Sequence, residues 1–335
     1  MTDLAHCHFS ILDLIPIRQQ ATPREALLQT RELAQHADRW GYHRYWIAEH
    51  HNLPGLASSA TIVMLTDIAA RTERIRIGSG GIMLPNHAPL VVAEQFGTLA
   101  SLYPDRIDLG VGRAPGTNLA TARALRRGFQ GSEEQFPRDI VEIMGYLDDP
   151  QPNQTILAIP GYGTKVPIYI LGSSLYGAQL AAHMGLPYAF ASHFAPAMLL
   201  DAIEIYKTQF KPSKVLSKPY LMLGVPSVVA PTDQEAEYLA TSYYQRFLAR
   251  MRGQSTQLPP PVTNMDELWN PMEKSAVLED MAVLVKGSPQ TVASQLKELL
   301  HHTGADELIF TGDLYEPALR LRSFELLTRV KTEFI

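Results

Sequence analysis

Short apolar runs rich in β-branched residues alternate with longer stretches of helical period along most of the chain. Brief apolar blocks predict buried strands, and the 3.6-residue recurrence between them predicts amphipathic helices. Strands are expected at 9–14, 45–48, 75–79, 107–111, 168–171, 188–191, 220–225 and 307–310. After the first, Thr22-Pro23 reads as a helix start, Leu27, Ala34 and Ala37 as an apolar stripe, and Gly41 as a stop, giving a helix over 23–40. The stretches 58–71 and 89–102 behave in the same way. Eight strands alternating with helices are repeated βα units over a parallel sheet. An open dinucleotide-binding sheet would place a G-x-G-x-x-G turn after its first strand, but residues 15–20 contain no glycine. The expected fold is therefore a (β/α)8 TIM barrel, a single domain over residues 1–335, with insertions after strand four and after the seventh helix.

The first insertion, 113–136, mixes glycine with basic residues. The second, 253–286, carries Leu258-Pro259-Pro260-Pro261 and Trp269-Asn270-Pro271. Loops of this length in a compact domain are usually functional or mobile, so the second reads as a candidate lid, with a plain surface excursion as the alternative. With 46% hydrophobic and 19% charged residues, the chain can bury a large core. A net charge of −5 supplies no basic face for nucleic acid and no attraction to an anionic membrane surface. The single cysteine, Cys7, excludes an internal disulfide framework and fits a reducing compartment. The opening stretch has no basic segment and only a short apolar run, so a cytoplasmic location is expected.

Chemistry in a parallel barrel sits where the strands end, at the C-terminal rim. Five successive expected exits carry small or polar residues: Glu49-His50-His51, Gly80-Gly81, Gly110-Val111-Gly112-Arg113, Gly172-Ser173-Ser174 and Ser192-His193. Imidazoles titrate near neutrality and can hold or pass a proton, which makes His50, His51 and His193 candidates. Glu49 and His51 could equally form a structural pair, and His193 could be a core histidine. Arg113 emerges on a glycine-rich turn and offers a fixed fork of donors to a phosphate, with a surface salt bridge as the plain alternative. Ser173 and Ser174 precede a helix expected over 175–183, whose free N–H groups favour an anion; simple N-capping would use the same residues. Gly80-Gly81 suits either close approach of a flat ligand or an ordinary bulge.

Taken in order, Ala48-Glu49-His50-His51, Ser79-Gly80-Gly81-Ile82-Met83-Leu84-Pro85, Gly110-Val111-Gly112-Arg113, Leu171-Gly172-Ser173-Ser174 and Ala191-Ser192-His193-Phe194-Ala195-Pro196 resemble the successive motifs of the bacterial-luciferase-like, flavin-dependent monooxygenases, in an enterobacterial luciferase-like subgroup. The resemblance implies reduced FMN as cofactor, dioxygen as co-substrate, a separate flavin reductase, a small organic substrate and a homodimer pairing through the helices after strands two and three. It implies a catalytic base at His50, an orienting role for Glu49, and supporting roles for His51 and His193. It also implies a cis peptide at Gly80-Gly81 beside the flavin ring, and an FMN phosphate held by Arg113, Ser173 and Ser174. Gly112 stands where light-emitting members carry cysteine, so light emission is not implied.

Three rivals are weighed. Deazaflavin F420 on the same barrel would make a hydride-transfer oxidoreductase. A metal-dependent hydrolase would use His6-Cys7-His8 with Glu49-His50-His51, although His6 and His8 precede strand one and belong to the opposite rim. A non-catalytic flavin-binding protein is the third. No metal site is expected.

Overall fold

The computed structural model describes residues 3–114, 119–125 and 132–334. Among them nine strands run parallel: β1 (His8–Asp13), β2 (Arg44–Ile47), β3 (Arg76–Met83), β4 (Ile107–Gly112), β5 (Ile168–Gly172), β6 (Tyr188–Phe190), β7 (Leu221–Val229), β8 (Val285–Gly287) and β9 (Glu307–Thr311). The order β1-β2-β3-β4-β5-β6-β7-β9 closes on itself, with Ser10 beside Ile309 where β9 returns to β1. The fold is a (β/α)8 TIM barrel. The eighth barrel strand is the ninth in sequence, because β8 stands outside the barrel. It pairs with the overhanging end of β7, Ser227 beside Val285. This strand begins at the very end of the stretch, 253–286, read from the sequence as one long excursion.

The helices are α1 (Pro23–Trp40), α2 (Thr61–Ala69), α3 (Pro89–Leu102), α4 (Leu119–Leu125), α5 (Ser132–Leu147), α6 (Leu175–Met184), α7 (Leu199–Gln209), α8 (Asp233–Met251), α9 (Pro271–Asp280), α10 (Pro289–Thr303) and α11 (Pro317–Glu333). The first forms where its sequence signals place it. Thr22 and Glu25 make a reciprocal capping box, Pro23 sits in the first turn, and Gly41 ends the helix at φ 80°. Its buried face is Ala26, Thr30, Leu33, Ala34 and Ala37. The insertion after β4 contains α4, while its residues 115–118 and 126–131 lie outside the described residues. A further excursion between α5 and β5, with a cis Ile159–Pro160 bond, carries no signal in the hydrophobic pattern.

The alternation along each strand sorts side chains into two cores. Phe9, Ile11, Tyr45, Ile47 and Ile77 belong to the large cluster between barrel and helices. Leu12, Leu14, Trp46, Ala48, Tyr169, Ala189, Met222 and Ile309 form a separate apolar cluster. Residues two apart on a strand share a face, which puts this second set in the barrel interior. Below it lies a charged layer. Arg44 on β2 reaches Asp108 on β4 at 2.6 Å, Glu307 on β9 at 2.7 Å and the Tyr169 hydroxyl on β5 at 3.0 Å. Contacts between strands that are not neighbours run through the interior. The lumen is thus filled from the N-terminal end by an ion network, then by an apolar layer, and the apolar layer becomes the floor of the site.

Candidate active site

The C-terminal ends of the strands surround a cavity of about 440 Å³. His50, Gly80, Gly112, Arg113, Gly172, Ser173, Ser174 and His193 all line it. Its floor is Leu12, Trp46, Ala189 and Ile309, the upper surface of the lumen's apolar layer. Phe136 on α5 and Tyr176 on α6 add aromatic walls, and neither is evident from strand exits alone.

At one end, Arg113 leaves β4 and lies over the Tyr176 ring, 4.3 Å from its centroid. Among the described residues no carboxylate pairs with it. Ser173 and Ser174 lead into α6, and the Ser174 side chain makes no capping hydrogen bond. The first-turn N–H groups of α6 and a guanidinium therefore border the same end of the cavity, a combination suited to an anion.

Between the two ends, the peptide bond from Gly80 to Gly81 is cis. A Cβ on Gly80 would lie 2.5 Å from Leu12 Cδ1, and one on Gly81 2.8 Å from the Gly110 carbonyl oxygen. These glycines sit inside β3, where its register against β4 shifts between Ser79 and Ile82, and the backbone is held this close to its neighbours because no side chain intervenes. Gly80 borders the cavity, whereas Gly81 faces away from it, against β4.

At the other end the Glu-His-His segment separates into two functions. Glu49 is fully buried and does not border the cavity. It accepts hydrogen bonds from His51 Nε2 at 2.8 Å, from His87 Nε2 at 2.8 Å and from the Met83 N–H at 3.1 Å. Burial opposes its charge, but these donors prevail and hold its carboxyl down to about 2. Glu49 and His51 are thus tied to each other and to the exit of β3, beneath the cavity wall. His87, three residues into the turn after Leu84, completes this anchor. His50 points the other way. Its Nδ1 is buried and finds no hydrogen-bond partner among the described residues, and the same holds for His193 Nδ1. Burial lowers the His50 imidazole to about 4, helped by the nearby Arg246 guanidinium. Burial likewise lowers His193 to about 4, with the Gly224 backbone partly opposing and His50 adding to the effect. Both rings are therefore neutral near pH 7.

A pH dependence follows with a definite sign. An unfolded chain protonates these histidines near pH 6.5, while the folded chain resists until about pH 4. Their contribution to stability is complete above pH 6.5 and is lost as pH falls toward 4. Each can contribute a slope of at most about 1.4 kcal/mol per pH unit in that window. Denaturant midpoints measured from pH 7 to pH 4 should fall, and His193→Gln should flatten the slope. An unchanged slope in that variant would remove His193 from this account.

A second cavity of about 240 Å³ adjoins the first and shares Leu14, His50, His193 and Phe194 with it. Its other walls include Leu53 and Leu56 after β2, Pro226 on β7, Tyr243, Arg246, Phe247 and Arg250 on α8, Thr256 and Met281 of the 253–286 stretch, Thr311 at the end of β9 and Asp313 just beyond it. The two histidines stand at the junction. Sequence reasoning passed over this chamber, although the spacing of Tyr243, Arg246, Phe247 and Arg250 places all four on one helix face. The exit of the eighth barrel strand, Thr311-Gly312-Asp313, was a further available signal.

The 253–286 stretch is fastened rather than loose at its start. Leu258 is buried and exchanges hydrogen bonds with the turn after β1: its N–H donates to Ile17 O at 3.0 Å, and Gln19 N–H donates to Leu258 O at 2.8 Å. His6 and His8 lie at the opposite end of the barrel, His6 bonded to Asp3 and His8 stacked on His43. Among the described residues no group of three or more His, Cys, Asp or Glu is arranged to hold a metal ion. No described helix is long and apolar enough to cross a membrane.

The family model for luciferase-like monooxygenases matches residues 7–307. A luciferase-like monooxygenase of Escherichia coli K12 is 49% identical over 327 residues, 98% of each chain. The N-acetyl-S-alkylcysteine monooxygenase of Bacillus subtilis is 30% identical over 325 residues, 95% of this chain and 96% of its own. Among solved structures, apo-MsnO8 superposes with a TM-score of 0.87 at 33% identity, covering 97% of this chain and 98% of its own. At lower identity the fold alone is shared. The oxygenating constituent of 3,6-diketocamphane monooxygenase from Pseudomonas putida, in complex with FMN, has a TM-score of 0.72 at 19% identity, covering 98% of both chains. An F420-dependent secondary alcohol dehydrogenase has 0.62 at 16%, covering 97% of this chain and 99% of its own. By the span of the family match and the near-complete overlap with its relatives, this chain belongs to the luciferase-like monooxygenase family.

Proposed function

We propose that the protein is a flavin-dependent monooxygenase that binds reduced FMN, delivered by a separate reductase, and uses dioxygen to place one oxygen atom in a small organic substrate. The observation that carries this reading is a single cavity with an anion-binding end, an apolar floor and two neutral histidines at its far end. Arg113 and the first turn of α6, with Ser173 and Ser174, would hold the phosphate. Gly80, Gly112 and Gly172 would let backbone approach the flat ring, over the floor made by Leu12, Trp46 and Ile309. When bound, the reduced flavin supplies the electrons for activating dioxygen. The chain's own residues position the ring, exclude water and place the free Nδ1 of His50 where a proton can be accepted or returned. Glu49 would act at a distance, by fixing His51, His87 and the exit of β3.

Anaerobic titration with reduced FMN and reduced F420 tests the cofactor. FMN is expected to bind at least tenfold more tightly; tighter F420 binding would turn the reading to hydride transfer. In stopped-flow reoxidation by air, His50→Ala should change the rate or the peroxide released by a factor of about 100, the usual scale for a lost acid–base group. An unaltered trace would sink the role given to His50.

For assembly, Val63 on α2 and Val91 on α3 are 69% and 44% exposed on neighbouring helices. We read this face as the contact between two copies. Sedimentation at micromolar concentration should give a dimer, and Val63→Glu should give a monomer; a wild-type monomer would count against it.

A further inference from the structure

The second cavity holds a charge arrangement that the flavin reading leaves unused. Asp313 is 3% exposed. Its Oδ2 accepts a hydrogen bond from Arg246 Nη1, but Oδ1 is buried and receives no hydrogen bond among the described residues. A carboxylate oxygen buried without a donor is costly, and such groups in native proteins are commonly completed by what binds beside them. Arg246 spends one N–H on Asp313, and the rest of its fork belongs to a residue that borders the same space. One turn further along α8, Arg250 lies over Phe247, 4.3 Å from the ring centroid, and reaches Asp280 only at 3.4 Å. Asp280 does not border the cavity, so its lining sets two guanidiniums against one carboxylate and carries a positive charge in excess. Uncharged polar side chains, Tyr243, Thr256 and Thr311, share the lining with an apolar stretch formed by Leu14, Leu53, Leu56, Phe194 and Met281.

Resting on the function proposed above, we infer that the second cavity recognises the substrate, and that the substrate is a small organic acid with an N–H or O–H on the carbon next to its carboxylate and an apolar tail. The anion would take the free N–H groups of Arg246 and Arg250. The adjacent donor would complete Asp313 Oδ1. Because Arg246 and Asp313 touch, a ligand engaging both must carry its acceptor and its donor within a bond or two of each other. The volume, about 240 Å³, is below the range of drug-sized sites, roughly 300–1,000 Å³, which limits the tail to a few carbons or a thioether. The tail would run over Leu53, Leu56 and Phe194 to the junction with the flavin cavity, where His50 and His193 stand.

The test is a calorimetric comparison of three probes on the wild-type protein, with and without saturating FMN: N-acetyl-L-methionine, its methyl ester, and 4-(methylthio)butanoate. The ester lacks the anion and the butanoate lacks the N–H. N-acetyl-L-methionine is expected to bind, and each analogue to bind at least tenfold more weakly, since a polar group left unpaired in a closed site penalises the ligand that fails it. Arg250→Gln should narrow the gap between acid and ester, and Asp313→Asn the gap between the N-acetyl acid and the butanoate. No binding of N-acetyl-L-methionine at millimolar concentration, or equal binding of either analogue, overturns the inference even if no variant folds. Loss of FMN binding with the probe ranking intact would instead strike the flavin reading and leave this one standing.

Discussion

Arg44→Leu is expected to destabilise the fold by about 3–5 kcal/mol, the usual cost of leaving buried charges without their partner. Arg44 is 2% exposed, and its guanidinium sits between Asp108 and Glu307, both fully buried. Burial alone would discourage its charge, but the two carboxylates keep it firmly protonated. Glu307 also accepts from the Tyr220 hydroxyl at 2.6 Å and from Ser10, and Asp108 from Arg76 and from Trp46 Nε1. Removing the cation therefore leaves buried Glu307 without a cationic partner among the described residues, and Asp108 with Arg76 alone. Chemical denaturation of the wild type and the variant measures the loss. The same substitution combined with Asp108→Asn and Glu307→Gln should recover much of it, because the anions go with the cation. If Arg44→Leu alone shifts the midpoint negligibly, the network is not holding the barrel's lower end.

The second large effect is expected on ligand affinity. Arg113→Gln should weaken FMN binding by about 10- to 100-fold, the range for losing one or two charge-assisted hydrogen bonds. Riboflavin, which has the ring and the ribityl chain but no phosphate, should bind the variant and the wild type alike. The comparison isolates the anion end, because Arg113 also packs on Tyr176 and its loss could disturb that ring. Fluorescence quenching with the two flavins gives both constants. Equal weakening of the two would mean that Arg113 supports the cavity wall rather than the phosphate.

The barrel was legible because each of its signals is local. Apolar blocks of the right length recur between helical stretches, and Thr22, Glu25 and Gly41 mark the ends of α1 in the sequence itself. The family likeness was legible because its motifs lie at strand exits, and the fold returns eight of the named rim residues to one cavity. What the sequence concealed was direction. Glu49, His50 and His51 are consecutive, yet only the middle one faces the cavity, since neighbours on an extended segment point to opposite sides. The partners that settle the matter, His87 and Met83, come from the next βα unit. The second cavity was hidden for a related reason. Its charged residues come from α8 and the exit of β9, far apart in sequence and joined only when the barrel closes. The excursion that leads into β8 gave no strand signal, because three residues are too few to show a period.

That outlying strand has a consequence for how such a protein can change its ligand. The polypeptide leaving α8 is pinned at Leu258 to the turn after β1, and it is pinned again at Val285–Gly287 to the overhang of β7. Between those two clasps the chain pairs with no barrel strand among the described residues, and Met265 and Val277 fix it instead to a small core shared with α8. Met281, in that span, is part of the smaller chamber's wall, whereas the larger chamber takes none of its lining from it. On the function proposed above, the architecture would separate a permanent cofactor seat from a more variable roof over the reactant.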